Sequence, residues 1–453
     1  VQALTWLDTA EGALAAQGLA LEQARRGPRR LLRVLPEAAA HWHPGLPPEL
    51  LRFAADDPDE TGGAALLPLA AFEGTETRLP LAEDVEATLL RGRLRAVVGE
   101  APVARLILAG PLQAVLDTAR ALAELLPALP PRAALAEEAR ALARGGALRP
   151  RRLGPPALDP DLAVEEALAH ALGHLTEVML WWAPAAHAGA KPDGVHQMRV
   201  AIRRLRSLLR VFRPACDGAA LRGFDAGLKE VAAALGPARD WDVFLGGLGA
   251  ELAAALPDEP RLAALLREAA KLREAGYAAL RPVLDGPAFR RLAWDAVALA
   301  EARPWRDETD PEAAERRAAP LPRFAASVLD RRWRRIAGAG DGIADLPDDA
   351  FHALRIEAKR MRYAAELFAP LWGRRRAKRF LGRLAEVQEA FGLANDAVVA
   401  RALMGRLNGR GGAHAWATGL AEGWSLARAR RARRKAAAAW DRLLAGGTFW
   451  DDD

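Results

Sequence analysis

VHQMRVAIRRLRSLLRVFRP, residues 195–214, carries two opposed stripes when wound at helical pitch. At roughly 100° per residue, His196, Arg199, Arg203, Arg206 and Arg210 share one side, because they are spaced by three or four. Val195, Met198, Ile202, Leu205, Leu209 and Phe212 fall on another and supply the face that a core would bury. Asp193 or Gly194 is placed to cap the start and Pro214 to stop the end. Like charges at this spacing destabilise a helix, so the row suits an extended anion; the alternative is a solvated face in an arginine-rich chain.

A second copy favours the anion. Residues 351–371 read FHALRIEAKRMRYAAELFAPL and align with the first stretch at one offset, since 352 − 196 = 156. The same offset joins Arg199 to Arg355, Arg203 to Lys359, Arg204 to Arg360, Arg206 to Arg362, Phe212 to Phe368 and Pro214 to Pro370. Downstream, LKEVAAALGPARDWDV from Leu228 matches LAEVQEAFGLANDAVV from Leu384, pairing Gly236 with Gly392 and Asp240 with Asp396. A repeat held in register over two motifs predicts a duplicated helical unit.

The pattern H-x-x-R-V-x-x-R-R-x-R, the following L-G-x-x-R-D-x-D-V and the weaker second copy resemble the CHAD family, the conserved-histidine α-helical domain. The resemblance covers about residues 158–453. It implies an all-α domain of two pseudo-symmetric helical bundles with a basic cleft, and binding of inorganic polyphosphate. Carried onto this chain, it assigns the ligand to His196, Arg199, Arg203, Arg204, Arg206, His352, Arg355, Lys359, Arg360 and Arg362, to which the charge pattern adds Arg210, Lys229, Arg239, Arg375 and Arg379. Glu366 stands where Arg210 predicts a cation, so the second row is expected to be shorter.

Composition sets the bounds. With 453 residues the chain has room for two or three domains, and 51% hydrophobic with 27% charged residues excludes global disorder. A net charge of +6 and a pI near 9.9 point modestly to an acidic partner. Lysine is confined to Lys191, Lys229, Lys271, Lys359, Lys378 and Lys435, so arginine carries nearly all the positive charge. That suits phosphate, which arginine grips bidentately, and it equally suits a GC-rich genome. Cys216 stands alone, leaving no intramolecular disulfide and no cysteine zinc site, in keeping with a reducing cytoplasm. No apolar run reaches membrane-spanning length and no leader pattern opens the chain, which starts at Val1.

Residues 1–143 differ from the rest. LTWLDTAEGALAAQGLALEQARRGPRRLLRVLP and the stretch from Gly62 to Leu81 read as short strands broken by turns; Val85 to Leu94 and Pro102 to Leu108 add two strands, and Leu112 to Leu126 and Arg132 to Arg144 two helices. The expected class is α+β. Leu7-Asp8-Thr9 followed by Gly18-Leu19-Ala20-Leu21, with the late strand Val103 to Gly110 and its helix, resembles a CYTH domain, the antiparallel barrel of the triphosphate tunnel metalloenzymes. That fold needs alternating acids for a divalent metal and alternating cations for phosphates. Here Glu22-Gln23-Ala24 replaces the R-x-R, Ala104-Arg105-Leu106-Ile107-Leu108 replaces the E-x-E-x-K, and no opening E-x-E-x-K strand precedes Leu4. Glu86 with Arg25, Arg26, Arg29, Arg30 and Arg33 does not rebuild a metal site. The domain reads as a catalytically silent relative with a scaffolding or auxiliary binding role, and no cofactor or metal is assigned.

The expected layout is thus 1–143 degenerate CYTH-like domain, 144–160 linker, and 161–453 CHAD domain, with repeats at about 161–302 and 323–453. The Arg303 to Pro322 segment reads as a polar connector. His41-Trp42-His43 and the helical pair His170 and His174 have metal-like spacing without a third ligand, and read as surface or structural residues. Gly236 is expected to end a helix, and Asp240 and Asp242 to cap the next one. The basic runs Arg331 to Arg335, Arg374 to Arg379 and Arg428 to Lys435 read either as extensions of the basic surface or as solvated faces.

Polyphosphate binding without catalysis is the first functional expectation, with a cytoplasmic location at polyphosphate granules. A triphosphate hydrolase using the first domain is an alternative that the missing carboxylates oppose. Nucleic acid is another partner, disfavoured because no aromatic residue interleaves with the basic row. A helical scaffold with incidental basic rows is the remaining one.

Overall fold

The computed structural model describes residues 2–25, 27–34, 49–52, 59–82, 84–146, 148, 154–307, 310–339, 342–407 and 412–450, leaving out the side chains at 2, 52, 59, 82, 394–398 and 412–414. His41, His43, Arg26 and the Asp396 side chain lie outside the described residues. In chain order the strands are β1 (Gln2–Asp8), β2 (Leu19–Ala24), β3 (Arg29–Arg33), β4 (Glu49–Arg52), β5 (Leu67–Ala82), β6 (Val85–Ala96) and β7 (Gly99–Ala109). The helices are α1 (Ala13–Ala16), α2 (Leu112–Leu125), α3 (Leu135–Ala143), α4 (Val164–Ala188), α5 (Pro192–Phe212), α6 (Ala219–Phe244), α7 (Ala250–Ala255), α8 (Pro260–Asp285), α9 (Pro287–Ala302), α10 (Pro311–Ala318), α11 (Leu321–Ala337), α12 (Asp348–Phe368), α13 (Arg374–Leu407) and α14 (Gly412–Leu444). They form two compact units, the first made of residues 1–154, 172–181 and 287–303, the second of the remainder.

The first unit is a curled antiparallel sheet in the order β4-β3-β2-β1-β5-β6-β7, consistent with a CYTH-like fold. Leu4, Trp6, Phe72, Leu90, Leu94 and Val103 form its buried face against Ala136 and Ala139 of α3. The Asp8-Thr9 pair organises the first turn: the Asp8 carboxylate accepts from the backbone N–H groups of Thr9, Leu14 and Ala15 at 2.8, 2.9 and 3.1 Å, and Thr9 Oγ1 accepts from Ala13 N at 2.9 Å. Of the broken strands expected over 62–81, the part from Leu67 onward proves to be one continuous β5 of 16 residues, because pairing with both β1 and β6 supplies the ladder that local propensity lacks. The cations of the sheet are matched by its acids: Arg30 by Glu22 at 2.8 Å, Arg93 by Glu100 at 2.6 Å and Arg95 by Glu73 at 2.8 Å. Helix α9 packs on α2 within this unit, through Arg120 to Asp295 at 2.8 Å, Arg290 to the Ala123 carbonyl at 2.7 Å, and Leu116 against Val297. Packing therefore groups α9 and the middle of α4 with the sheet, although the sequence repeat counts them with the helical part.

The second unit is helical. The apolar stripe read from the sequence is the buried one, with Val195, Met198, Ile202, Leu205, Leu209 and Phe212 of α5 all inside. The start of α5 differs from expectation: Lys191 is the N-cap residue and Pro192 the first helical one, so neither Asp193 nor Gly194 caps. Gly194 is needed for close helix contact, since a Cβ there would come within 2.4 Å of the Ala185 backbone in α4. Gly236 does not end a helix either. Helix α6 continues through Gly236 and Pro237, held by the buried Leu235, Ala238 and Trp241, and the carbonyl that loses a donor to proline belongs to exposed Ala233. The connector of residues 303–322 contains helix α10, capped by Asp310, which accepts from Glu312 N at 3.2 Å.

Candidate functional site

Helices α5 and α12 meet around a local twofold. Arg204 of α5 pairs with Glu366 of α12 at 3.2 Å, and Arg210 of α5 lies in the field of Arg360 of α12. The midpoints of these contacts are Ser207 and Tyr363, which are themselves 156 apart, so the axis of the sequence repeat is the axis of the helix contact. Phe212 and Phe368, another pair at that offset, touch with ring centroids 6.1 Å apart, and Phe324 of α11 closes the trio at 5.3 and 6.4 Å. Such a cluster anchors the crossing by burying large rings in tilted and edge-on contact.

On the α5 side, an imidazole and three guanidinium groups converge. His196 and Arg199 are half-buried, Arg203 is exposed, and Arg239 reaches them from α6. Arg199 Nη1 donates to the Ala232 carbonyl of α6 at 2.7 Å, which fixes that helix against the row. Burial, then the guanidinium groups of Arg239 and Arg203, hold the His196 imidazole below its ordinary value, against the pull of Asp193. Burial and Arg203 likewise depress Arg199, with Asp240 opposing. Arg239 is lowered by burial, which outweighs the nearby Asp242. Among the described residues, none of these four, nor Arg210, makes an ion pair at salt-bridge distance. The cluster thus holds like charges close together, offset only by the more distant fields of Asp193, Asp240 and Asp242.

Asp242 does not cap a helix. It is buried, accepting from Arg273 Nε at 2.6 Å and Tyr277 Oη at 2.7 Å, and so ties α6 to α8 beneath Arg239. Burial raises Asp240, with Arg199 as the leading opposing charge.

The rest of the expected row is partly self-neutralised. Arg206 is paired with Asp225 of α6 at 2.7 Å, Arg360 with Glu357, and Arg362 with Glu366 at 2.6 Å while its Nη1 donates to Gln388 at 3.0 Å. Sequence reasoning missed these acids as partners. Glu357 and Glu366 were detectable from their three- and four-residue spacing to Arg360 and Arg362, whereas Asp225 is brought to Arg206 only by packing. Of the second row, His352 is exposed, and Arg355 and Lys359 are half-buried with partners of their own. Arg332 of α11 joins this region: burial pushes its guanidinium down to about 10, with Arg360, Arg331 and Arg335 adding and Glu357 opposing.

Three further expected residues, Lys229, Arg375 and Arg379, are exposed. Lys229 lies three residues before Ala232, on the same side of α6 that meets Arg199. Arg375 and Arg379 lie in the first turns of α13, whose Gln388 and Phe391 meet α12 further along. As for metals, His174 Nε2 is hydrogen-bonded with the Gly154 carbonyl at 2.9 Å, and no metal-like group of three or more ligands forms among the described residues. No helix of the described residues is long and apolar enough to cross a membrane.

Comparison with known proteins agrees with this architecture. The family model described as CHAD domain matches residues 163–405. The crystal structure of the CHAD domain from the plant Ricinus communis is 30% identical, with a TM-score of 0.53, covering 66% of this chain and 96% of that one. PptA from Streptomyces chartreusis is 20% identical, with a TM-score of 0.49 over 62% of this chain and 100% of that one. Two uncharacterized proteins of Mycobacterium tuberculosis are 32% identical over 209 residues, or 43% of this chain. The chain spans 38% of the length of these curated relatives. A match over more than half of the chain, carried by the duplicated helices α5 and α12, makes this protein a member of the CHAD family.

Proposed function

We propose that the second unit binds inorganic polyphosphate, or a related extended polyanion, along the α5 and α12 rows, without catalysis. The observation that carries this reading is the group formed by His196, Arg199, Arg203 and Arg239, three guanidinium groups around an imidazole they keep from protonating, with no carboxylate at salt-bridge distance among the described residues. A chain with one charge per phosphoryl unit answers such a row with a succession of charge-assisted hydrogen bonds. The location implied by this ligand is the polyphosphate granule, where a fluorescent fusion would collect.

Titration of the full chain with long-chain polyphosphate at low ionic strength tests the reading. Binding is expected, with a loss of about tenfold for Arg203→Gln and for Arg239→Gln. Absence of binding, or displacement of polyphosphate by nucleic acid and not the reverse, refutes it. Phosphate release from triphosphate with magnesium or manganese would instead favour a hydrolase.

A further inference from the structure

The twofold between α5 and α12 is broken where the two helices touch. Arg210 and Glu366 occupy equivalent positions, since 366 − 210 = 156. The Arg204–Glu366 pair at 3.2 Å is therefore the counterpart of the approach of Arg360 to Arg210. One side of the axis holds an ion pair and the other two like charges. Glu366 also accepts from Arg362 Nε at 2.6 Å, and its side chain is only 13% exposed. Its carboxylate thus lies between a cation of α5 and a cation of α12. Gln388 holds the other arm of Arg362 at 3.0 Å and itself donates to the Ala358 carbonyl at 2.9 Å, so the guanidinium is aimed rather than loose.

We infer that Glu366 is a resident anion, occupying the place between Arg204 and Arg362 where a phosphoryl group would sit as a polyanion crosses from one row to the other. This rests on the polyphosphate reading and deepens it by naming what the ligand competes with. A carboxylate and a phosphoryl group make the same bidentate demand on arginine, so each can replace the other. Displacing Glu366 exchanges one such pairing for another. A short phosphate that touches one cluster gains little from the exchange. A long chain that sits on both rows gains every further contact; Arg199 and Arg210 alone are about 16 Å apart along α5. Glu366 therefore selects for chain length.

The test is titration of the wild type and Glu366→Gln with sodium tripolyphosphate and with long-chain polyphosphate. The variant should bind tripolyphosphate about tenfold tighter, with a smaller gain for the long chain, so that the long-to-short affinity ratio falls. An unchanged ratio in a variant with native near-UV circular dichroism overturns the inference. Should Glu366→Gln fail to fold, Arg210→Glu on the exposed side places a carboxylate against Arg360 and should raise the ratio; no change there overturns it equally. A wild type that binds neither ligand refutes the polyphosphate reading itself, whereas a wild type that binds both with a ratio blind to these variants refutes only the role of Glu366.

Discussion

The salt dependence of polyphosphate binding should count the open cations and ignore the paired ones. Binding a polyanion releases condensed counterions, and a flexible single strand loses about 0.7 in the slope of log K against log salt for each charge contact. Arg199, Arg203, Arg210 and Arg239 have no ion-pair partner among the described residues, whereas Arg204, Arg206, Arg360 and Arg362 have Glu366, Asp225, Glu357 and Glu366. A ligand that takes over a paired arginine displaces a protein carboxylate instead of a bound ion, so it releases no salt. Four open contacts give a slope of about −3. A fourfold rise in salt then weakens binding by about 50-fold; all ten cations acting as free charges, Arg355 and Lys359 included, would give a slope near −7 and a loss of about 10⁴. Isothermal titration from 50 to 200 mM salt distinguishes these. Arg203→Gln should make the slope shallower by about 0.7, and Arg204→Gln should leave it unchanged. A wild-type slope near −7, or equal effects of the two variants, refutes the reasoning.

His196 provides a pH dependence. With its folded-state value depressed, the folded protein binds fewer protons than the unfolded chain, so stability without ligand should fall as the pH drops through the imidazole range. Polyphosphate reverses the sign by favouring the charged ring: affinity should rise as the pH falls, by at most about one decade per unit for one proton, and proton uptake in buffers of different ionisation enthalpy should vanish in His196→Gln. Phe212→Ala removes the ring at the twofold and should destabilise the second unit by about 3–5 kcal/mol in urea. Asp242→Asn leaves the Arg273 guanidinium without its buried counter-charge and should cost about 3–5 kcal/mol in the same assay, with a far smaller effect if Tyr277 alone held the acid in place.

Local periodicity made much of this molecule legible. The stripes of α5 and their return at an offset of 156 are set by residues three and four apart, and every apolar position named from that spacing is buried. The same local logic failed at Gly236–Pro237, where burial of Leu235, Ala238 and Trp241 outweighs two helix-disfavouring residues, and over residues 67–81, where pairing on both edges makes one strand. Asp242 misled for a related reason: a carboxylate close to a proline resembles a cap, and only packing against α8 presents it with Arg273 and Tyr277.

By itself the sequence determined that a duplicated amphipathic helix would bury one face and present arginine and histidine on the other, because helical pitch is a property of neighbours. Beyond the local pairs of Arg360 with Glu357 and Arg362 with Glu366, which of those cations stay open was decided by tertiary structure. Asp225 reaches Arg206 from α6, Arg239 arrives beside His196, and Glu366 meets Arg204 across the twofold. Charge neutralisation depends on distances of a few ångströms between residues 19 to 162 positions apart in the chain, and no sequence spacing encodes those distances.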